Sequence, residues 1–250
     1  MDVLFAFLED TQKETLARLE KLYKDKTKTT ILNYINNEIN KKNRCLLDVL
    51  KHGVEFDNGA VLHLMYRKPA TSLNPKAEAL YKKNVFSVME EVYHKDGERI
   101  DLVIFLNGIA IFTFELKCNT SGQNYEDAIR QYKYERDYTT RLLKFKAGCL
   151  AHFAMDLNEV YMCTNLKGKS SFFLPFNKGC GYGINSGKGN PHNEDGINVS
   201  YMWEDILKKD TVLYLIDKII FLQKETKKDP DTGKKTTTET LIFPRYHQFN

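Results

Sequence analysis

Cysteine is scarce in this sequence and poorly placed for a covalent role. Cys45, Cys118, Cys149, Cys163 and Cys180 are odd in number, widely spaced and never arranged as CxxC. That excludes a disulfide framework and a thiolate zinc site, and points to a reducing, cytoplasmic setting. The histidines His52, His63, His94, His152, His192 and His247 form no HxxxH or HExxH pair, so zinc catalysis is not expected. No stretch approaches eighteen apolar residues, and the opening MDVLFAFLEDTQKET carries acids within ten positions and no basic n-region. Neither a membrane span nor a secretory peptide is expected. One-sided charge is also missing: 37 Lys and Arg against 33 Asp and Glu leave +4 and a pI near 8.6. Such a balance permits a polyanionic partner without requiring one. A phosphate-binding loop is lacking too. Gly168-Lys169-Ser170 imitates the end of one, but Cys163 stands where glycine is needed and strand-like SFFLPF follows where a helix should.

What the chain does have is 250 residues, 29.1 kDa and 42% hydrophobic content, enough for one or two domains with a sizeable core. The first fifty residues read as helices. In Thr29 to Asn40, Ile31, Tyr34, Ile35 and Ile39 make one helical stripe. Glu38 lies on that stripe, either as a charge at the rim of the core or as a carboxylate aimed into a site. After Gly59 the pattern becomes strand-like, with Val61 to Tyr66, Val85 to Tyr93, Asp101 to Leu106 and Ile109 to Lys117 rich in β-branched and aromatic residues. Asn107-Gly108 between the last two is a strong hairpin signal. Helical spacing returns over Tyr125 to Tyr138, and three further strands are expected at Leu150 to Met155, Val160 to Thr164 and Ser171 to Phe176. Lys178 to Gly196 holds six glycines and reads as an irregular loop. A helix pair, Met202 to Lys209 and Thr211 to Leu222, precedes KETKKDPDTGKKTTTET, a nearly all-polar stretch that reads as a linker. Leu241 to Asn250 resumes apolar and aromatic character and then stops, as if the chain were cut.

Chemistry concentrates in the strand Ile109 to Lys117, where period-two alternation puts Glu115 and Lys117 on one face. Asp101 opens the preceding strand, and the hairpin can fold it back beside Glu115. Two carboxylates close together repel unless a cation lies between them, and hard oxygen ligands suit Mg²⁺. Register tests the idea. A regular two-residue loop at Asn107-Gly108 would set Asp101 opposite Phe114, on the wrong face. The site therefore requires a three-residue loop or a bulge. The competing reading is an ordinary hairpin with charges at its strand ends and Lys117 as an edge-strand gatekeeper.

Asp101 followed by Glu115-Leu116-Lys117 resembles the nuclease motif of the PD-(D/E)XK superfamily. The longer string IDLVIFLNGIAIFTFELK, then GQNYEDAIRQY, resembles the N-terminal nuclease region of the restriction (R, motor) subunit of type I restriction-modification enzymes. Further matches run in order from NRCLLDVLKHGV at Asn43, through LNP and NVFSVMEEV, to HFAMDLNEVYMCTNLKGKSSFFLPFNKG, GKGNP at Gly187 and FPRYHQ at Phe243. The resemblance implies an α/β fold, a restriction-endonuclease-like core with a central mixed sheet flanked by helices, plus an N-terminal helical region. It implies Asp101 and Glu115 as metal-binding acids, Lys117 as the catalytic lysine, and Gln131 as the glutamine of a QxxxY motif that supports the site or contacts DNA. The tyrosine of that motif departs, since Glu135 occupies its place; Tyr134 is preferred over Tyr132, which belongs to the apolar stripe. Glu38 is a candidate for a helix carboxylate added to the metal site. Gln248 resembles the adenine-reading glutamine of a helicase-like ATPase.

The resulting expectation is a type I site-specific deoxyribonuclease domain performing Mg²⁺-dependent hydrolysis of double-stranded DNA. In the family this is coupled to ATP-driven translocation by the full subunit, alongside methylation and specificity subunits. The expected organisation is an N-terminal helical region at 1–50, a nuclease core at 51–200, helices and polar linker at 201–240, and the start of an ATPase domain at 241–250. Two other readings stand beside it: a non-cleaving DNA-binding or docking module, and a stand-alone structure-specific nuclease. His152, in an apolar strand, is expected to be a hydrogen-bonded structural residue. Lys41, Lys42, Arg44, Arg130, Lys133, Arg136, Arg141, Lys144 and Lys146 either track phosphates or form a solvated surface.

Overall fold

A computed structural model describes residues 2–71, 73–180, 188–230 and 232–248. The chain opens with α1 (Asp2–Thr11), α2 (Lys13–Tyr23), α3 (Thr27–Asn40) and α4 (Leu46–His52). The α3 stripe behaves as its spacing requires, with Ile31, Ile35 and Ile39 buried. A short ladder joins β1 (Val54–Glu55) to β2 (Val61–Leu62). The expected strand to Tyr66 stops early; beyond Leu62 the chain is held from other elements, with the Gln12 side chain bonded to His63 and the Asn84 side chain to Tyr66. Helix α5 (Pro75–Lys82) starts where Asn74 caps it and Pro75 fills the first turn.

Among the described residues, six strands form the central sheet in sequential order: β3 (Phe86–Lys95), β4 (Glu98–Leu106), β5 (Ile109–Leu116), β6 (Ala151–Met155), β7 (Val160–Cys163) and β8 (Leu174–Pro175). Only β5 and β6 run parallel, and that geometry demands a crossover. Helix α6 (Tyr125–Tyr134) supplies it, started by a capping box between Asn124 and Asp127. The architecture is α/β, a mixed sheet flanked by helices with an N-terminal helical region.

Strand alternation splits β5 between two cores. Phe112 and Phe114 face the larger cluster built with the N-terminal helices, where Phe112, Phe153, Phe176 and Phe243 make edge-to-face contacts at 5.8–5.9 Å. Each buried ring contributes roughly 2–3 kcal/mol through lost apolar surface. Thr113 and Glu115 turn to the opposite face, toward α6 and its buried Ala128 and Tyr132.

The turn at Asn107-Gly108 sets the sheet's register. Both residues have positive φ, 51° and 80°, the signature of a type I′ turn. Asn107 is fully buried, its amide donating to the Leu64 carbonyl and the Asn84 side chain while its oxygen accepts from the Val85 amide. A Cβ on Gly108 would lie 2.7 Å from the Leu4 backbone nitrogen. Gly108→Ala is therefore expected to cost about 2 kcal/mol or more, from positive φ and displacement of α1. Urea unfolding of the variant beside wild type checks this; equal midpoints would remove the turn from its role.

The expected polar linker over 224–240 is corrected. Residues there form an antiparallel ribbon, β9 (Phe221–Lys228) and β10 (Lys235–Ile242). Its alternating Thr and Lys residues suit an exposed ladder, which composition alone cannot distinguish from coil. The preceding helix pair is broken into a π turn at Met202–Ile206, α7 (Lys209–Tyr214) and a second π turn at Leu215–Ile219. After the ribbon, Leu241 and Phe243 return to the main core.

Candidate active site

The hairpin between β4 and β5 contains an irregularity. Leu106 pairs with Ile109 and Phe105 with Ala110, but Ile104 pairs with Phe112, leaving Ile111 as the extra residue of a bulge. From there Val103 meets Thr113 and Leu102 meets Phe114. Continuing that register sets Asp101 across from Glu115. The two-residue turn alone would have separated them; the bulge puts them on one face.

Glu115 is fully buried. Its Oε1 accepts from Arg136 Nε at 2.7 Å, and Arg136 itself is only 10% exposed. Its Oε2 has no hydrogen-bond partner among the described residues. Burial pushes the Glu115 carboxyl up to about 7; Arg136 pulls it down, and the charge of neighbouring Asp101 pushes it up again. The two acids are thus close enough for their charges to repel. Asp101 is anchored from the other side, its Oδ2 accepting from the Leu116 amide at 2.8 Å. Lys117 follows β5, fixed through its amide to the Met155 carbonyl at 2.9 Å. No hydrogen bond or ion pair engages its ammonium among the described residues.

A polar seam backs the pair. Thr113 Oγ1 lies 2.8 Å from the Tyr132 hydroxyl and 2.7 Å from His152 Nδ1, all buried. Burial depresses His152 to about 3, so it is a neutral structural residue, as expected from its apolar strand. Gln131, on the same helix, has a buried Oε1 without a partner among the described residues. Tyr134 points away at 62% exposure, with Lys169 5.8 Å from its ring centroid.

Not every sequence candidate joins this group. Glu38 is bound by Lys41 and by Arg44, the latter at 3.1 Å, while the charges acting most strongly on Glu115 are Arg136 and Asp101. Gln248 is exposed, its Oε1 accepting from the Arg245 amide at 2.8 Å. Arg136, grouped by sequence with surface phosphate-tracking residues, is instead the partner of the buried acid. The helix expected to reach Tyr138 ends at Tyr134, and that early end lets the chain turn Arg136 inward. Nothing in the sequence set it apart from the other basic residues, since the expected helix ran past it.

A divalent cation is testable against this donor set. Among the described residues Glu115 Oε2 is buried without a partner, and the Asp101 carboxylate lies across from it with its Oδ1 not engaged by the Leu116 amide, so two hard oxygen donors fit such an ion. No cluster of three or more His, Cys, Asp or Glu occurs among the described residues. Two carboxylates with the balance supplied by water or a phosphate is a pattern suited to Mg²⁺.

The fold and this hairpin define an α/β protein whose charged residues meet at the open end of a bulged β-hairpin. The family described as "Type I restriction enzyme R protein N terminus" matches residues 6–171, and the chain belongs to it. It is also 32% identical over 108 residues to the "Putative type I restriction enzyme MjaIXP endonuclease subunit" of Methanocaldococcus jannaschii, a match covering 42% of this chain and 10% of that protein. No helix among the described residues is long and apolar enough to cross a membrane.

Proposed function

We propose that this chain is the nuclease region of a type I restriction enzyme R subunit, of PD-(D/E)XK type, hydrolysing DNA phosphodiester bonds with Mg²⁺. The observation that carries the reading is the bulge at Ile111, which turns Asp101 toward Glu115. Family membership supports the same reading. Asp101 and Glu115 would hold the ion. When bound, Mg²⁺ polarises the scissile phosphate and stabilises the leaving oxygen.

The chain's own residues do the rest. Arg136 fixes one oxygen of Glu115, leaving the other free toward Asp101. Lys117, just past the end of β5 and two residues after Glu115, carries an ammonium with no partner among the described residues; it would orient the attacking water and balance charge building on phosphorus. Gln131 offers a further buried acceptor on α6. Glu115 must be ionised to act as a ligand, so metal affinity is expected to rise as pH passes about 7. In the whole subunit, ATP-driven translocation of double-stranded DNA would feed the site, with Gln248 as part of an adenine-reading motif and methylation and specificity subunits as partners.

Plasmid nicking with Mg²⁺ tests the reading, using wild type beside Glu115→Gln and Lys117→Ala, with Mn²⁺ affinity measured by calorimetry. Cleavage and metal binding lost in Glu115→Gln, and cleavage alone lost in Lys117→Ala, are expected. DNA binding with no metal affinity in wild type would favour a non-cleaving docking module. In the full-length subunit, Asp101→Ala is expected to abolish restriction while retaining ATPase; unchanged restriction would sink the assignment.

A further inference from the structure

The β9–β10 ribbon has a composition that stability does not explain. Both strands are exposed along nearly their whole length, so the outer part buries no core. An isolated two-stranded ribbon is at best marginally stable, and like charges placed directly across a ladder weaken it further. Yet Lys228 pairs directly with Lys235. No ion pair engages either lysine among the described residues.

The ladder sorts the charges by face. Pairs two residues apart share a side, so Lys228 with Lys235, Thr226 with Thr237, and Lys224 with Glu239 lie on one face. Thr226 and Thr237 join their hydroxyls at 3.0 Å, stiffening the middle. At the base Glu239 is already neutralised, bridged by Lys146 at 2.7 Å and Lys224 at 3.1 Å. Glu225 belongs to the opposite face, where Gln223 donates to it at 2.9 Å. Asp229 belongs to the turn, accepting from the Thr232 amide at 2.8 Å. Among the described residues, no ion pair offsets the positive charge of the Lys228–Lys235 face.

That face continues onto the body. Lys146, which bridges to the ribbon, also bonds the Lys42 carbonyl at 3.1 Å, and Lys144 reaches Asn40. Exposed Lys42 and Lys144 therefore sit beside the base of the ribbon, and Lys228 and Lys235 lie at its tip, four residues further along the same face. Eight residues per strand give an arm of about 27 Å, and a two-stranded ribbon fits the major groove of a duplex.

We infer that the Lys228–Lys235 face of the β9–β10 ribbon, together with Lys42 and Lys144 at its base, is a phosphate-contacting arm for duplex DNA. This rests on the reading of DNA as the substrate, but it assigns a surface separate from the Asp101–Glu115 site. The contacts are to phosphates and carry no base specificity.

The test is fluorescence anisotropy of a 30-base-pair random-sequence duplex with the full chain in EDTA, across salt concentrations. A Lys228→Gln/Lys235→Gln variant is compared with wild type. Loss of two phosphate contacts is expected to lower the salt slope by about 1.8, so that wild type loses about twelvefold more affinity than the variant between 50 and 200 mM salt. Removing the cross-strand repulsion should leave the thermal midpoint unchanged or higher, which separates lost contacts from lost folding. Unchanged slope and affinity would overturn the arm, as would a wild-type chain that fails to bind the duplex. A lysine-dependent preference for an RNA duplex would overturn the DNA assignment. Plasmid nicking is scored in parallel: nicking by wild type with no role for the lysines leaves the nuclease reading standing and removes only the arm.

Discussion

Arg136→Met is expected to destabilise the protein by about 2–3 kcal/mol at pH 8: about 1 for the lost hydrogen bond, and up to about 1.4 for the buried charge left without a partner, a part capped because the Glu115 carboxyl, at about 7, takes up a proton instead. Glu115 is fully buried and Arg136 nearly so, and their 2.7 Å contact is the only hydrogen bond either Glu115 oxygen makes among the described residues. Without the guanidinium, an ionised Glu115 faces Asp101 with nothing to offset it, so its pKa climbs further above about 7. The penalty therefore depends on pH. Near pH 5 Glu115 is protonated in both proteins, and the loss should shrink to about 1 kcal/mol, that of a hydrogen bond. Urea unfolding at pH 8 and pH 5 reads the difference; equal losses at both would mean that Arg136 acts through packing rather than charge. Adding Glu115→Gln should recover most of the pH 8 loss, because the buried charge is gone.

Glu115→Gln alone is expected to raise stability at pH 8 by about 3 kcal/mol, from about 1.36 kcal/mol for each pH unit between 4.5 and about 7. The sign follows from the direction of the shift. A carboxyl whose folded pKa is raised from 4.5 to about 7 binds its proton more tightly when folded. Its favourable contribution is complete below about pH 4.5 and lost as pH rises through 7. Glutamine cannot ionise, so the variant escapes that loss; its advantage should be absent near pH 4 and full above pH 8. The same substitution is expected to abolish Mn²⁺ binding and plasmid nicking. A variant less stable than wild type at pH 8 would contradict the burial argument, whatever its activity.

These predictions concern a pair of acids that sequence brought only within reach of each other. Alternation placed Glu115 and Lys117 on one face, and the Asn107-Gly108 turn made the hairpin readable. Whether Asp101 joins them depends on a single extra residue, Ile111, in the ladder. Nothing local distinguishes Ile111 from its neighbours, since a bulge arises where turn geometry and the packing of both sheet faces must be satisfied together. Arg136 was legible only as a basic residue, because a guanidinium turns inward only when a buried carboxylate and the end of α6 meet in space. The ribbon over 221–242 was missed for a related reason. Its Thr- and Lys-rich strands have no apolar face, and hydrophobic periodicity is silent where neither side is buried.

By itself the sequence determined the α/β class, the α3 stripe, the central strands, the hairpin turn and the family resemblance, because each rests on local periodicity, turn chemistry or motif order. Only the tertiary structure decided that Asp101 faces Glu115, that Arg136 holds it, and that a basic ribbon stands beside Lys42 and Lys146. Each of these depends on residues far apart in the chain meeting across a sheet, where a shift of one position reverses every side chain.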